Sequence, residues 1–364
     1  MTTELDFVEE YNQASSMKAI GITNLPEIRI FTDLIELIDV PVPRPEDDEV
    51  AIKVLASTIH IDEIHIVQGT AMGGRFMEPK NVSKNNPHIP GSIVSGVVVA
   101  TGTKVTKFSI GDEVVDIISN PKAHNSWAEY KCVAEKLVIA KPDKMTHNEA
   151  AALTIAAAAA KGAIDSSDAS SDSKCLVVGG SGAIGSMVVQ YLKALGAHVT
   201  AVCSGKNEEL VKSLGADEVI DYTKDNFKDI YSNRNEQMDV VVDCVGGLEI
   251  EKDAFAVLKK TGRFITLVGP VKYVGDRRLS VMGITKMMLH ISNRFLVTRF
   301  SGPRYIWSVK SLTKKLPEAM RLAVEHKMYV PIERTIPLEV EAISEAIELI
   351  TSHRTRGRVV IEMG

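Results

Sequence analysis

Residues 173–207, SKCLVVGGSGAIGSMVVQYLKALGAHVTAVCSGKN, constrain the fold more than any other stretch of this chain. An apolar run, Cys175 to Val178, reads as a buried strand and leads straight into Gly179, Gly182 and Gly185, glycines at intervals of three. Beyond them Ile184, Val188, Tyr191, Leu192 and Leu195 recur at helical spacing, Gly196 ends the pattern, and a second apolar run follows. Strand, bare turn, helix and strand in that order start a parallel sheet. The glycines differ in what they allow. The first permits the tight strand exit, the second lets backbone approach a pyrophosphate, and the third lets helix pack on strand. Ser181, Ala183 and Ile184 complete the turn, and the free amides of the helix start face the anion. A purely structural turn is the alternative, but the flanking strand and helix, with another strand about 20 residues on, are the context of a dinucleotide site.

The end of the second strand indicates which dinucleotide. Binding the ribose hydroxyl of NAD calls for an acid there; Ser204, Gly205 and Lys206 stand in its place, and a hydroxyl plus a cation suits the 2′-phosphate of NADP. Lys206 as the solvated start of the next helix is the competing reading.

A chain of 364 residues exceeds what one core organises, so two domains are expected. Residues 1–16 read as a polar tail. From Met17 to about Lys141 short strands dominate, with Val50, Ile52, Val54 and Ala56 alternating and glycines at 91, 96, 102 and 111. From about Asn148 helices and strands alternate, with strands expected at 174–179, 198–203, 239–243 and 263–268. The basic stretch Gly275 to Met320 fits a lid, a dimer surface or helices on the sheet. A helix from Glu339 to Ser352 and a closing strand from Arg358 to Glu362 complete the pattern. A formal charge of −5 without a basic, aromatic stripe argues against nucleic acid and against an anionic membrane as partners. Four scattered cysteines, no apolar run of spanning length and an acidic N-terminus lead to the expectation of a cytosolic protein.

These residues resemble the medium-chain dehydrogenase/reductases, specifically the zinc-free quinone oxidoreductase branch that includes zeta-crystallin. The likeness rests on PHIPGSIVSGVVVATGTKVTKFSIGDEVV (Pro87 to Val115), the glycine turn with its helix, SLGADEVIDYTKDNF (Ser213 to Phe227), VVDCVGG (Val241 to Gly247), TGRFITLVG and RGRVVIEMG. The resemblance implies an α/β chain: a GroES-like β-rich catalytic domain at 17–147, completed by 303–364, and a Rossmann domain with a doubly wound parallel sheet at 148–302. It implies that Lys206 and Tyr222 grip the adenosine phosphate with Ser204 beside them. Val245 and Gly246, then Leu267, Val268 and Gly269, would pass beneath the nicotinamide ribose, and Arg354 or Arg356 would approach the 2′-phosphate. It also implies a homodimer joined through the sheet edge, with Arg294 to Gly302 (RFLVTRFSG) as the last Rossmann strand.

The departures from the family bear on chemistry. Zinc-dependent relatives carry Gly-His-Glu where Gly91, Ser92 and Ile93 stand, so no catalytic metal is expected. His60 takes the place of a pocket asparagine, Glu63 that of an aspartate, and the run Ala156 to Ala160 lacks a threonine that meets the cofactor. His60 either faces the nicotinamide, where it donates a proton or binds the substrate carbonyl, or is a half-buried side chain satisfied by Asp62 or Glu63. The resulting expectation is an NADPH-dependent, metal-independent reductase of quinones or α,β-unsaturated carbonyls, with His60 and Glu63 as catalytic candidates. The alternative is an NADPH-binding protein with slow turnover and a structural, regulatory or RNA-binding role.

Overall fold

The computed structural model describes residues 4–27, 29–70, 77–117, 125–234, 236–270, 279–308 and 312–363. The chain divides into two units, Met1–Thr154 with Ile332–Gly364, and Ile155–Val274 with Leu279–Pro331.

The first unit opens on a correction. Residues 1–16 are not merely a polar tail, because helix α1 (Glu4–Gln13) carries one buried aromatic anchor. The Tyr11 hydroxyl donates to the Pro43 carbonyl at 2.8 Å, the Arg44 guanidinium lies 4.4 Å above its ring, and Glu10 pairs with Lys53 at 3.0 Å. Strand β1 (Ser16–Ile22), the short α2 (Phe31–Leu34) and β2 (Ile35–Pro41) follow, with β1 and β2 antiparallel. Next come β3 (Glu49–Thr58), α3 (Ile61–Gln68), β4 (Ile93–Thr101), β5 (Glu113–Ile117), β6 (Tyr130–Ala134) and β7 (Val138–Ala140). β3 pairs with β4 and β6, β4 with β5 and β5 with β7, all antiparallel. The alternating residues read from the sequence, among them Val50, Ile52 and Val54, are fully buried around Trp127.

Helix α4 (His147–Asp165) spans the change of unit, which falls at Thr154/Ile155 rather than at the expected 147/148. Its stretch from Ala150 to Ala160 is buried throughout, as a run of small side chains allows. The second unit then alternates without interruption: β8 (Lys174–Val178), α5 (Ala183–Ala194), β9 (His198–Cys203), α6 (Glu208–Ser213), β10 (Glu218–Asp221), α7 (Phe227–Arg234), β11 (Met238–Asp243), α8 (Leu248–Val257), β12 (Leu258–Thr266), α9 (Val281–Phe300), β13 (Arg304–Trp307) and α10 (Leu312–Glu325). Its six strands run parallel in the order β10-β9-β8-β11-β12-β13. That is the 3-2-1-4-5-6 order of a dinucleotide-binding sheet, whose ligands sit at the carboxyl ends of the strands where the order reverses.

Arg294 to Phe300, expected as the last strand, lie in α9, and β13 takes the sheet edge instead. The reason is periodicity. Met287, Ile291 and Thr298 are the buried residues of α9 and share one helical stripe, while Ser280 caps the start by accepting from Gly283 N at 3.1 Å. The strand at the edge expected to pair in a dimer is therefore Arg304–Trp307. Residues 303–331 also belong to this unit rather than completing the first, since β13 joins the parallel sheet. Residues 275–278, the start of the ambiguous basic stretch, lie outside the described residues. The chain returns to the first unit through β14 (Ile332–Pro337), α11 (Val340–Thr351) and β15 (Arg358–Glu362), where β15 pairs in parallel with β14 and antiparallel with β3.

Candidate active site

Two clusters carry the candidate residues, one in each unit. In the second unit the cradle is made mainly of backbone. β8 ends at Gly179 (φ +83°), whose N–H donates to Val202 O at 2.9 Å. A Cβ on Gly185 would stand 2.1 Å from Gly179 O, so α5 starts this close to the strand only without a side chain. Gly182 differs: a Cβ there would make only an ordinary contact, 3.5 Å from Gly179 O. Gly182 caps α5 without any side-chain acceptor and no acid stands in the first turn, which leaves Ala183, Ile184 and Gly185 at a helix end suited to an anion. A pyrophosphate fits this cradle.

The end of β9 is tied to the same turn by a residue that sequence reasoning missed. Asn207 is buried, and its Nδ2 donates to Ser181 Oγ at 3.1 Å and to Ser204 Oγ at 3.2 Å; its Oδ1 is buried without a hydrogen-bond partner. Lys206 and Tyr222 are exposed beside it. The acid nearest this strand end is Asp221, which accepts from Thr223 N and Oγ1 at 3.1 and 2.7 Å and lies 3.5 Å from Lys224 Nζ. Those Thr223 bonds hold its carboxyl below the usual range, so Asp221 serves its own turn.

The other two strand ends are braced by Asp243 and Thr266, also missed although VVDCVGG contains the first. Asp243 Oδ1 accepts from Val245 N at 2.9 Å and Gly246 N at 2.8 Å, while Oδ2 accepts from Thr266 Oγ1 at 2.9 Å. Thr266 Oγ1 in turn accepts from Val268 N at 3.3 Å and Gly269 N at 2.8 Å, and Leu267 N donates to Asp243 O at 3.0 Å. One carboxylate and one hydroxyl thus fix both turns expected beneath the nicotinamide ribose. Val245 and Val268 remain exposed at the rim. The signal available in the sequence was a polar residue closing each apolar strand.

In the first unit His60, two residues past the end of β3, is the N-cap of α3. Its Nδ1 accepts from Asp62 N at 3.2 Å, which leaves the proton on Nε2, and its own N–H donates to Glu63 Oε2 at 3.1 Å in a capping box. Glu63 Oε1 also accepts from Ser92 N and Oγ, both at 3.0 Å. Burial lowers the His60 imidazole to about 4 and raises the Glu63 carboxyl to about 8, the latter against the pull of its donors. Arg358, absent from the candidates read in the sequence, completes the group. Ile59 N donates to Val359 O and Thr58 pairs with Val360, so the antiparallel register continues to His60 opposite Arg358. The guanidinium is buried, Nε and Nη2 have no hydrogen-bond partner, and burial brings it down to about 10. Of the two C-terminal arginines expected to matter, Arg356 pairs with Glu333 at 3.0 Å and Arg354 is exposed.

This group does not suit a metal. Both Glu63 oxygens and His60 Nδ1 already accept hydrogen bonds, Ser92 donates to Glu63, and a single imidazole nitrogen is left where a catalytic zinc takes three protein ligands. Among the described residues no three His, Cys, Asp or Glu side chains gather as a metal site.

Residues 46–143 match the alcohol dehydrogenase GroES-like domain, and residues 214–361 match the family described as zinc-binding dehydrogenase. The chain is 32% identical over 329 residues to the mitochondrial NAD(P)H oxidoreductase RTN4IP1 of Mus musculus, covering 87% of this chain and 82% of that protein. It is 38% identical over 271 residues to 2-methylene-furan-3-one reductase of Solanum lycopersicum, covering 72% and 65% of the two chains. The quinone oxidoreductase structure from Coxiella burnetii superposes with a TM-score of 0.77 at 26% identity, covering 95% of this chain and 99% of the other. The GroES-like unit, the doubly wound parallel sheet and these relatives agree: the chain is an oxidoreductase that belongs to the nicotinamide-dependent medium-chain dehydrogenase/reductase superfamily.

Proposed function

We propose that the chain is an NADPH-dependent, metal-independent reductase of quinones or α,β-unsaturated carbonyls. The observation that carries this reading is the end of β9, where Ser204, Lys206 and the bridging Asn207 stand while the nearby Asp221 is occupied by Thr223. A hydroxyl, an amide and a cation favour a phosphate over a bare ribose hydroxyl. Relatives named as an NADPH-dependent alkenal/one oxidoreductase of Arabidopsis thaliana and a quinone oxidoreductase homolog of Spinacia oleracea support the acceptor class.

The cofactor, when bound, supplies the hydride. The amides of Ala183, Ile184 and Gly185 would hold its pyrophosphate, Ser204, Lys206 and Tyr222 its adenosine phosphate, and the turns braced by Asp243 and Thr266 its nicotinamide ribose. His60 is neutral at physiological pH, so it acts as a hydrogen-bond donor through Nε2–H rather than as an acid. With the positive Arg358 on the same face, it stabilises the negative charge that develops on the acceptor oxygen, and solvent delivers the final proton. A conjugated acceptor needs no further Lewis acid.

The test is initial-rate measurement with NADPH and NADH against 1,4-naphthoquinone, 2-hexenal and a saturated aldehyde. NADPH oxidation with either conjugated acceptor, a preference of about tenfold or more for NADPH, and no rate with the saturated aldehyde are expected. Equal use of NADH, or turnover of the saturated aldehyde alone, overturns the proposal.

A further inference from the structure

Helix α9 is fastened along one side and bare along the other. On the fastened side Met287, Ile291 and Thr298 are buried. Glu251 of α8, itself buried, accepts from His290 Nε2 at 3.0 Å and from Arg294 Nε at 2.5 Å. Thr298 Oγ1 accepts from Tyr305 N at 3.1 Å, and the Phe295 ring meets Tyr305 edge-on at 5.5 Å. These contacts fix which way the helix faces. Outward lie Met282, Leu289 and Leu296, seven residues apart along one line, with Val281 and Phe300 at the two ends. Their exposure runs from 63% at Leu296 to 79% at Phe300, so large apolar side chains recur along the outward line, with Thr285, Lys286, Ser292 and Asn293 in the turns between them.

Charge decides what this surface fits. The helix contains Lys286, His290, Arg294 and Arg299 and no acid. Glu251 takes His290 and Arg294, which leaves Lys286 and Arg299 exposed on either side of the stripe. A second copy would set these cations against their own kind with no carboxylate on the helix to answer them. A small apolar ligand needs a concavity, and a helix face is convex. An anionic lipid surface answers both features: apolar side chains enter the boundary between headgroups and acyl chains, and lysine and arginine meet lipid phosphates. No helix among the described residues is long and apolar enough to cross a membrane, so the contact is peripheral. We propose that α9 docks the protein on an anionic bilayer surface through Met282, Leu289, Leu296 and Phe300, with Lys286 and Arg299 on the headgroups. This goes beyond the reductase reading and does not depend on it. The whole-chain charge of −5, which argued against a membrane, conceals this local basic and apolar stripe.

Flotation of the full chain with vesicles of phosphatidylcholine alone, or of phosphatidylcholine mixed with phosphatidylserine, tests the proposal. Association with the mixed vesicles, weakened by salt, is expected. Leu289→Glu with Leu296→Glu, and separately Lys286→Glu with Arg299→Glu, should each lower it by about tenfold or more while NADPH binding stays unchanged. Failure of the wild-type chain to float with the mixed vesicles at low salt overturns the proposal, as does unchanged flotation of either variant. A dimer in sedimentation equilibrium that Leu289→Glu with Leu296→Glu splits overturns it too, and assigns the stripe to a second copy.

Discussion

The two units build their candidate sites from different materials. In the parallel-sheet unit the anion cradle is backbone: a left-handed Gly179, a Gly182 that caps the helix without a side chain, a Gly185 pressed against a carbonyl, and two turns held by the Asp243 and Thr266 side chains. In the GroES-like unit the cluster consists of buried side chains, His60, Glu63, Ser92 and Arg358, whose charge states are set by burial and by one another. A backbone site tolerates no added atoms and changes little with pH. A side-chain site tolerates changes of shape but is sensitive to protonation. The chain has two tryptophans, Trp127 in the first unit and Trp307 in the second, so fluorescence of Trp127→Phe and Trp307→Phe backgrounds reports each unit separately.

The largest effect expected on this contrast comes from Gly185→Val. The first added carbon already lies 2.1 Å from Gly179 O, so α5 must move off the strand. Overpacking of this kind costs about 1–3 kcal/mol, and the displaced amides should abolish measurable NADPH binding by calorimetry. Melting followed by Trp307 should fall by several degrees while the Trp127 signal is unchanged. Retained NADPH affinity would show that the turn is not the cradle.

Glu63→Ala comes next and should act on the other unit alone. It leaves His60 N, Ser92 N and Ser92 Oγ without their acceptor in a buried place and strips Arg358 of a facing carboxyl. The expected loss is about 1–3 kcal/mol, the cost of leaving buried donors without an acceptor. Denaturant melts read at Trp127 should show it, with NADPH affinity unaltered. Loss at both tryptophans would mean that the units do not melt separately.

The same contrast explains how far the sequence could be read. Glycine spacing is a statement about backbone, and backbone demands are written locally; the cradle, the strand order and the lack of an acid after β9 were therefore legible. Local periodicity also governs Arg294 to Phe300, which the family resemblance assigned to a strand against the stripe of Met287, Ile291 and Thr298 that marks a helix. The polar tail failed for a related reason, since a buried Tyr11, with Phe7 packed against the same cluster, is enough to dock an otherwise acidic helix. Arg358 and Asn207 were illegible because their importance comes from partners distant in sequence. His60 meets Arg358 only across the β3–β15 register, and Asn207 meets Ser181 only because α5 and β9 return to the same strand ends.

A smaller and pH-dependent effect should separate the units again. Burial lowers His60 and His88 to about 4 from 6.5, so the unfolded chain binds protons that the folded chain refuses. Stability of the GroES-like unit is therefore undiminished by these groups above pH 6.5 and falls as the pH drops from 6.5 to 4, by on the order of 3 kcal/mol for each histidine. Glu63 acts with the opposite sign, losing stability as the pH rises from 4.5 to 8. The difference between wild type and His60→Gln cancels Glu63 and isolates the imidazole: the variant's acid arm, read at Trp127, should be shallower. Parallel arms would place the acid sensitivity elsewhere.

The smallest effect should come from Lys206→Ala, and it sharpens the contrast from the other side. Lys206 is an exposed side chain serving a site otherwise made of backbone, so solvent screens much of its interaction. Its contribution to NADPH binding should be about 1 kcal/mol, close to fivefold in Kd, with NADH binding and both melting signals unmoved. Asn207→Ala should do more than Lys206→Ala despite removing no charge, because Asn207 Nδ2 holds Ser181 and Ser204 together from a buried position. It should also weaken NADH, since the turn and not only the phosphate contact is disturbed. If instead Lys206→Ala weakens NADPH more than Asn207→Ala does, the selectivity is carried by the exposed cation and the buried bridge is a packing residue.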